Sequence, residues 1–315
     1  MLSNASSDLI RQLEERGAKR IALQFPEGLK RKAPEYTERL RKAGFEVIVS
    51  GDPCYGACDL ALDTLLDTDV LVHVGHAPVD DRPNVIYLPY TIGFSMPVLD
   101  VALPLIEGKT TGLVTTVQHV HLVPEMETYL RSKGVDIRVA DGRGRTPLRG
   151  QVLGCCFTAA RNTQADLVLF VGTGLFHPVG IALTTRKRVI ALDPLTGAAQ
   201  EVSGDTLLRR RFAVIEKARG AKSVGIIVST KSGQRRMDLA RRLAGLSPTA
   251  VIVTMQEASP DELLNLGFGC YVNTACPRLA YDDQVRFPVP VLSPQEFEIL
   301  CGARTWDEYE IDEIP

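Results

Sequence analysis

Three cysteines, Cys58, Cys155 and Cys276, occupy similar places in three successive segments of the chain. Cys58 is followed by an aspartate after 11 residues and a glycine after 17, and Cys155 is followed by the same residue types at the same offsets. The stretches after the two aspartates, VLVHVG and LVLFVG, are both typical of buried strands. Cysteines placed alike in repeated units can meet at one point if the units pack around an axis. Three thiolates at one point would form a metal site with an open coordination position.

The spacing of the cysteines leaves three interpretations open. Thiolates suit zinc, copper(I) and iron–sulfur clusters. Structural zinc usually takes four protein ligands, often from CxxC pairs, whereas this chain has no CxxC and only one CxxxC, formed by Cys54 and Cys58. A 4Fe–4S cluster takes one ligand per iron, so three cysteines would leave one iron open to a substrate. From spacing alone, the cysteines could hold an iron–sulfur cluster, hold zinc, or be chemically inert.

Length and composition indicate a globular protein of two or three domains, since the chain has 315 residues, of which 45% are hydrophobic. The net charge of −2 argues against a general nucleic-acid surface. Without a recognisable signal peptide or an apolar run of about 18 residues, we expect a cytoplasmic protein with no membrane span. We expect its cysteines to be reduced, with Cys156 and Cys270 as small buried hydrophobes. The basic clusters 209–211 and 235–236 are interpreted as solvated helix faces.

The order of predicted elements favours three similar α/β units. Strands rich in valine, isoleucine and leucine alternate with helical stretches, which is typical of parallel sheets covered on both faces. We predict domains at 1–107, 108–200 and 201–315, each with a roughly four-stranded parallel sheet flanked by helices, arranged around a pseudo-threefold axis. The three cysteines all fall after strand ends, where parallel sheets gather their chemistry. Cys58 and Cys155 fall between the second and third strands of their units, whereas Cys276 follows a third strand.

The cysteine motifs resemble those of one known family. YGACD at Tyr55–Asp59, GQVLGC at Gly150–Cys155 and ACPRLAYDD at Ala275–Asp283 occur in the order found in the archaeal diphthamide-synthesis enzymes. The similarity covers nearly the whole chain; further similar stretches are PEGL at 26–29, QHVH at 118–121, FHPVG at 176–180, TRK at 185–187 and the C-terminal EYEIDEI.

The resemblance implies a homodimer that holds a 4Fe–4S cluster on Cys58, Cys155 and Cys276. It implies a transferase in which the reduced cluster, supplied by an electron donor, cleaves the sulfur–Cγ bond of S-adenosylmethionine. The resulting 3-amino-3-carboxypropyl radical attacks C2 of a histidine in translation elongation factor 2, and methylthioadenosine is the by-product. The common radical-enzyme motif CxxxCxxC is absent, in agreement with this family.

Four polar residues are candidates for binding S-adenosylmethionine. Arg278 lies two residues after Cys276 and could bind the substrate carboxylate in a bidentate way. Asp282 or Asp283 could receive the amine, and Gln234 offers both a donor and an acceptor at a helix start. The alternatives are a surface salt bridge for Arg278, a solvated turn for the aspartates and an exposed helix cap for Gln234.

The histidines are less informative. His119, His121 and His177 could each order substrate or cluster, or be hydrogen-bonded structural residues. His73 lies inside a strand and is expected in the core, and Cys54 is not expected to be a cluster ligand.

Two other function classes stay open. A quinolinate-synthase-like lyase would also use three α/β units and a three-cysteine cluster, but it would act on small molecules. A non-catalytic subunit that supports another chain is less consistent with three cysteines in one chain.

Overall fold

The computed structural model describes the backbone of residues 2–314 and the side chains of residues 8–314. The chain forms two compact units, Met1–Thr91 and Ile92–Pro315. The first contains one sheet and the second contains two.

The sheet of the first unit has four parallel strands in the order β2-β1-β3-β4. The strands are β1 (Arg20–Gln24), β2 (Glu46–Val49), β3 (Val70–Gly75) and β4 (Val85–Pro89), with helices α1 (Leu2–Glu15) and α2 (Ala33–Lys42) and 3-10 helices at Glu27–Lys32 and Leu62–Leu66. All six residues of β3 are buried, as expected for a central strand covered on both faces.

The second sheet has five strands in the order β6-β5-β7-β8-β9. The strands are β5 (Thr111–Thr115), β6 (Ile137–Arg138), β7 (Leu167–Val171), β8 (Arg188–Asp193) and β9 (Ala198–Val202). The helices are α3 (Leu103–Ile106), α4 (Val123–Ser132), α5 (Thr158–Asn162) and α6 (Phe176–Thr185), with 3-10 helices at Met96–Ala102 and Val120–Leu122. The strand β9 runs antiparallel to β8 and is an addition to the four parallel strands that the sequence predicts.

The third sheet has four parallel strands in the order β11-β10-β12-β13. The strands are β10 (Val224–Ser229), β11 (Ala250–Met255), β12 (Cys270–Asn273) and β13 (Val291–Leu292). The helices are α7 (Asp205–Ala218), α8 (Met237–Ala244), α9 (Pro260–Leu266), α10 (Arg278–Tyr281) and α11 (Pro294–Leu300), with 3-10 helices at Ser232–Gln234, Asp283–Arg286 and Trp306–Glu308.

The first four strands of each sheet follow one topology, in which the first strand lies between the second and the third. This confirms the prediction of three similar α/β units with mostly parallel sheets. The pseudo-threefold arrangement and the boundaries at 107/108 and 200/201 stay predictions. The segment Met96–Ile106 packs into the core of the second sheet through Met96, Leu99, Ala102 and Ile106.

The interpretation of the basic clusters as solvated helix faces is wrong for Arg211 and Arg236. Arg211 is 1% exposed and donates to both carboxylate oxygens of Glu296, at 2.7 and 2.5 Å. It also donates to the carbonyls of Ala280 and Val291, at 2.5 and 2.7 Å. Arg236 is largely buried and paired with Asp312. Both guanidinium groups neutralise a buried carboxylate, which a run of basic residues does not reveal.

No helix within residues 2–314 combines the length and the apolar character that a membrane crossing requires.

Candidate metal centre

The three cysteines of the repeat differ in burial from the other four. Cys58, Cys155 and Cys276 are half-buried, whereas Cys54, Cys156 and Cys270 are buried and Cys301 is exposed. Each half-buried cysteine follows a strand of a parallel sheet: β2, β6 and β12, respectively. Half-buried thiols beside strand ends can reach a ligand while the fold still shields it from bulk water. This pattern fits the predicted roles, which stay predictions.

The Cys58 loop is held to the end of β1 by the side chain of Gln24. Its amide nitrogen donates to the carbonyl of Asp59 at 2.8 Å, and its amide oxygen accepts from the backbone N–H of Ala61 at 3.2 Å. Because one contact is to a backbone acceptor and the other to a backbone donor, the orientation of the amide is fixed. Gln24 is 1% exposed, so these hydrogen bonds have little competition from water.

The fixed amide of Gln24 also determines which ring nitrogen carries the hydrogen in two histidines, His73 and His76. His73 Nδ1 lies 2.8 Å from the same amide oxygen and must therefore donate to it. His73 Nε2 is then an acceptor and receives a hydrogen bond from His76 Nδ1 at 2.9 Å. Burial, assisted by the neighbouring His76, lowers the pKa of His73 to about 3, and burial lowers the pKa of His76 to about 4. The pair is therefore neutral at physiological pH.

The same two histidines belong to a second group of possible metal ligands. Cys54, His73 and His76 each offer a ligand atom, and the three atoms lie within 4.8 Å of one another. One sulfur and two imidazole nitrogens are donors that zinc favours. The spacing of 2.9 Å between the two ring nitrogens is that of a hydrogen bond, and a bound ion would have to displace the proton between them. The sequence analysis missed this group, although the HxxH spacing at the end of β3 is a visible signal.

The Cys155 loop is tightly packed. A side chain at Gly154 would place its Cβ 2.4 Å from the ring of Phe176, so the close approach of this ring favours glycine. The adjacent Cys156 is fully buried and lies 3.2 Å from the hydroxyl of Thr158. The prediction that Cys156 and Cys270 are buried residues is confirmed, and burial raises the pKa of Cys270 to about 11.

The Cys276 loop is braced by the side chain of Asn273. The amide nitrogen of Asn273 donates to the carbonyl of Cys276 at 2.8 Å, and its oxygen accepts from the backbone of Ala275 at 2.9 Å. Arg236 donates to the carbonyls of Thr274 and Ala275, at 2.7 and 3.1 Å. The main chain just before Cys276 is therefore held by two side chains.

The guanidinium of Arg278 lies over the ring of Phe176, which packs against the Cys155 loop. The guanidinium is 5.0 Å from the centre of the Phe176 ring, the same ring that packs on Gly154. It also pairs with Asp282 at 2.9 Å, and its side chain is 58% exposed. The two residues predicted to bind the carboxylate and the amine of S-adenosylmethionine thus form an exposed ion pair with each other. Their binding roles stay predictions.

The other polar candidates have distinct surroundings. Gln234 is 6% exposed at the end of a 3-10 helix that follows β10, so its interpretation as an exposed helix cap is wrong. His119 is buried and donates to the carbonyl of Ile92 at 2.9 Å, which fits a structural role. Burial and the charge of Arg278 lower the pKa of His177 to about 4, and its ring stacks on Phe170. His121 is mostly exposed.

The chain is similar to known proteins over most of its length. The family model described as "Putative diphthamide synthesis protein" matches residues 25–310. A 2-(3-amino-3-carboxypropyl)histidine synthase from Pyrococcus horikoshii is 37% identical over 98% of this chain and 92% of its own length. Subunit 1 of the corresponding synthase from Nematostella vectensis is 30% identical over 96% of this chain and 68% of its own length.

A solved structure agrees with the sequence comparison. The crystal structure of Dph2 from Pyrococcus horikoshii with a 4Fe–4S cluster superposes with a TM-score of 0.92 at 37% identity, covering 98% of this chain and 93% of that one. The chain therefore belongs to the diphthamide synthesis protein family.

Proposed function

We propose that this chain is a 2-(3-amino-3-carboxypropyl)histidine synthase, a transferase that performs the first step of diphthamide biosynthesis. It transfers the aminocarboxypropyl group of S-adenosylmethionine to C2 of a histidine in translation elongation factor 2. The observation that carries the proposal is the set of three half-buried cysteines at strand ends, in a chain that aligns almost end to end with a protein solved with a 4Fe–4S cluster.

The donor set fits a 4Fe–4S cluster better than zinc. Cys58, Cys155 and Cys276 would supply three thiolates, and each side chain is half-buried. Structural zinc would require a fourth protein ligand, whereas three thiolates on a 4Fe–4S cluster leave one iron available to substrate. When bound and reduced, the cluster would supply the electron that cleaves the sulfur–Cγ bond of S-adenosylmethionine.

The residues around Cys276 provide groups of both charges for the methionine part of the substrate. Arg278 would bind the carboxylate, and Asp282 would receive the amine. Their mutual ion pair is exposed, and exposed pairs contribute little free energy, so the substrate can replace it at small cost. The buried amide of Gln234 would add a neutral donor and acceptor. His177, neutral because its pKa is lowered to about 4, would add no charge beside Arg278.

The proposed domains, oligomeric state, location and partners are based on membership of the family. We propose domains at 1–107, 108–200 and 201–315 around a pseudo-threefold axis, a homodimer, a cytoplasmic location and an external electron donor. The macromolecular partner is a protein and not a nucleic acid, which agrees with the net charge of −2.

The proposal is tested by spectroscopy and product analysis on anaerobically purified protein. Dithionite should produce the paramagnetic signal of a reduced 4Fe–4S cluster in the wild type. Alanine at position 58, 155 or 276 should remove or cripple the cluster, and Cys54→Ala is the matched control that should retain it. Loss of iron from Cys54→Ala but not from Cys58→Ala would overturn the ligand assignment.

The reaction is tested on the protein substrate. Reduced enzyme with S-adenosylmethionine should release methylthioadenosine and add one aminocarboxypropyl mass to a single histidine of elongation factor 2. Free histidine should react far more slowly, because correct positioning supplies about 7–11 kcal/mol of the barrier reduction. Predominant 5′-deoxyadenosine would refute the bond selectivity. Efficient turnover of free histidine with no modification of the factor would favour a small-molecule enzyme.

A further inference from the structure

We propose that the C-terminal strap, defined as residues Ile311–Ile314, is a positioning element that sets the backbone of both the Cys155 loop and the Cys276 loop. The inference rests on the proposed function in one respect, namely that these cysteines hold the cluster. The strap lies in the same compact unit as both loops. Two of its contacts are with the main chain beside Cys155, and a third reaches the main chain before Cys276 through the side chain of Arg236.

The strap holds the Cys155 loop from two sides. The backbone N–H of Ile314 donates to the carbonyl of Cys155 at 2.7 Å. The carboxylate of Glu313 accepts from the backbone N–H of Phe157 at 2.9 Å, and it is paired with Arg161. The peptide groups before and after Cys156 are therefore both fixed by consecutive residues of the strap.

The strap holds the Cys276 loop through an arginine. The carboxylate of Asp312 receives two hydrogen bonds from Arg236, at 2.9 and 2.5 Å. The same guanidinium donates to the carbonyls of Thr274 and Ala275, at 2.7 and 3.1 Å. A bidentate ion pair fixes the plane of the guanidinium, so Asp312 determines where these two donor groups lie.

Burial makes these contacts strong and specific. Ile311, Asp312 and Ile314 are 6%, 2% and 7% exposed, respectively. The backbone N–H of Asp312 donates to the hydroxyl of Tyr281 at 2.8 Å, and Ile311 packs in the same hydrophobic cluster as Tyr281. Removing one partner of a buried charge pair lowers the free energy of unfolding far more than removing one partner of an exposed pair. The strap is therefore ordered independently of any ligand at the cysteines.

The geometry points to a role beyond general stability. Ligands of a metal centre must be held within about 0.5 Å of their working positions by the residues behind them. The Cys155 and Cys276 loops belong to different sheets. Three successive residues, 312–314, bond to the main chain of the first loop directly and to that of the second through Arg236. A change in the strap would thus shift both thiolates together.

The experiment uses Asp312→Asn and Glu313→Ala in the full-length chain, with Glu310→Ala as the matched control. Glu310 is a carboxylate of the same C-terminal segment, but it is exposed and pairs with Arg304, which belongs to neither loop. In cluster-free protein, amide exchange should rise roughly tenfold or more at 274–276 in Asp312→Asn and at 155–157 in Glu313→Ala. The control should exchange like the wild type. Thermal unfolding followed by circular dichroism establishes that each variant is folded.

The second measurement addresses the cluster. After anaerobic reconstitution, Asp312→Asn and Glu313→Ala should show shifted g-values and should lose iron to a chelator roughly tenfold faster than the wild type. Asp312→Glu, which keeps the charge, should partly restore both properties.

Unchanged amide exchange in both variants would refute the proposed role of the strap. Faster exchange with unchanged g-values and iron loss would limit it to a stabilising role and overturn the positioning inference. If the wild type itself takes up no cluster, the proposed function fails, and the exchange data alone decide whether the strap orders the two loops.

Discussion

Acidification should destabilise the protein through its buried histidines. The pKa values of His73 and His76 are lowered to about 3 and about 4 in the folded chain, from 6.5. Below pH 6.5 the unfolded chain therefore binds more protons than the folded chain. The stability that these residues contribute is fully present above pH 6.5 and is lost as the pH falls towards the folded-state values.

The size of the effect follows from linkage. Each such histidine loses about 1.4 kcal/mol of stability for every pH unit below 6.5. Between pH 7.5 and 5.5 the two together should lower the free energy of unfolding by about 2–3 kcal/mol. The half-buried His177, whose pKa is also lowered to about 4, should add about half as much again.

The assay is urea unfolding of cluster-free protein at pH 7.5, 6.5 and 5.5. His76→Asn retains a side-chain N–H that can donate to His73, and it should reduce the loss over this range by about 1.3 kcal/mol. His121→Asn, a change at a mostly exposed histidine, should retain nearly the whole loss. An equal loss in His76→Asn and the wild type would refute the buried neutral pair. Uptake of cobalt(II) with a thiolate charge-transfer band that Cys54→Ser abolishes would show instead that the pair serves as a metal ligand.

Further predictions concern charge and packing. Arg211→Met should lower the free energy of unfolding by about 3–5 kcal/mol, because it leaves the carboxylate of Glu296 buried without its partner; adding Glu296→Met should recover most of that loss in denaturant titrations. Arg278→Ala should weaken S-adenosylmethionine binding roughly 10- to 150-fold in calorimetry while the cluster spectrum stays unchanged; unchanged affinity would leave Arg278 as a surface ion pair. Gly154→Ala should lower the thermal midpoint, because its Cβ would lie 2.4 Å from the Phe176 ring; a midpoint equal to that of the wild type would contradict the tight packing.

The sequence predicted the features that repeat or alternate locally. The strands that follow Asp69 and Asp166 are continuous apolar runs, and both are found within one residue of their predicted ends. The burial of Cys156 and Cys270 was also predicted, because free cysteine usually behaves as a small buried hydrophobe. The strand β9, with the sequence AAQEV, has mostly exposed residues, so neither its apolar content nor its alternation reveals it.

Contacts between distant residues were not predictable from one sequence. Arg211 and Glu296 are 85 residues apart, and each alone is typical of an exposed helix face. Gln24 ends a strand like any other polar residue, and only the fold shows that its amide orients His73. The chemistry of the candidate site was thus predictable from residue types and resemblance, whereas the side chains that hold it were not.

The strap also has a consequence for the order of folding. Glu313 bonds to Phe157 across 156 residues of chain, so the Cys155 loop cannot reach its final conformation until Glu313 has been synthesised. Domains generally fold from the N-terminus during synthesis, and the second sheet can form before the strap exists. We therefore expect a nascent chain with its second sheet in place but this loop still mobile, and cluster insertion to follow synthesis of the strap.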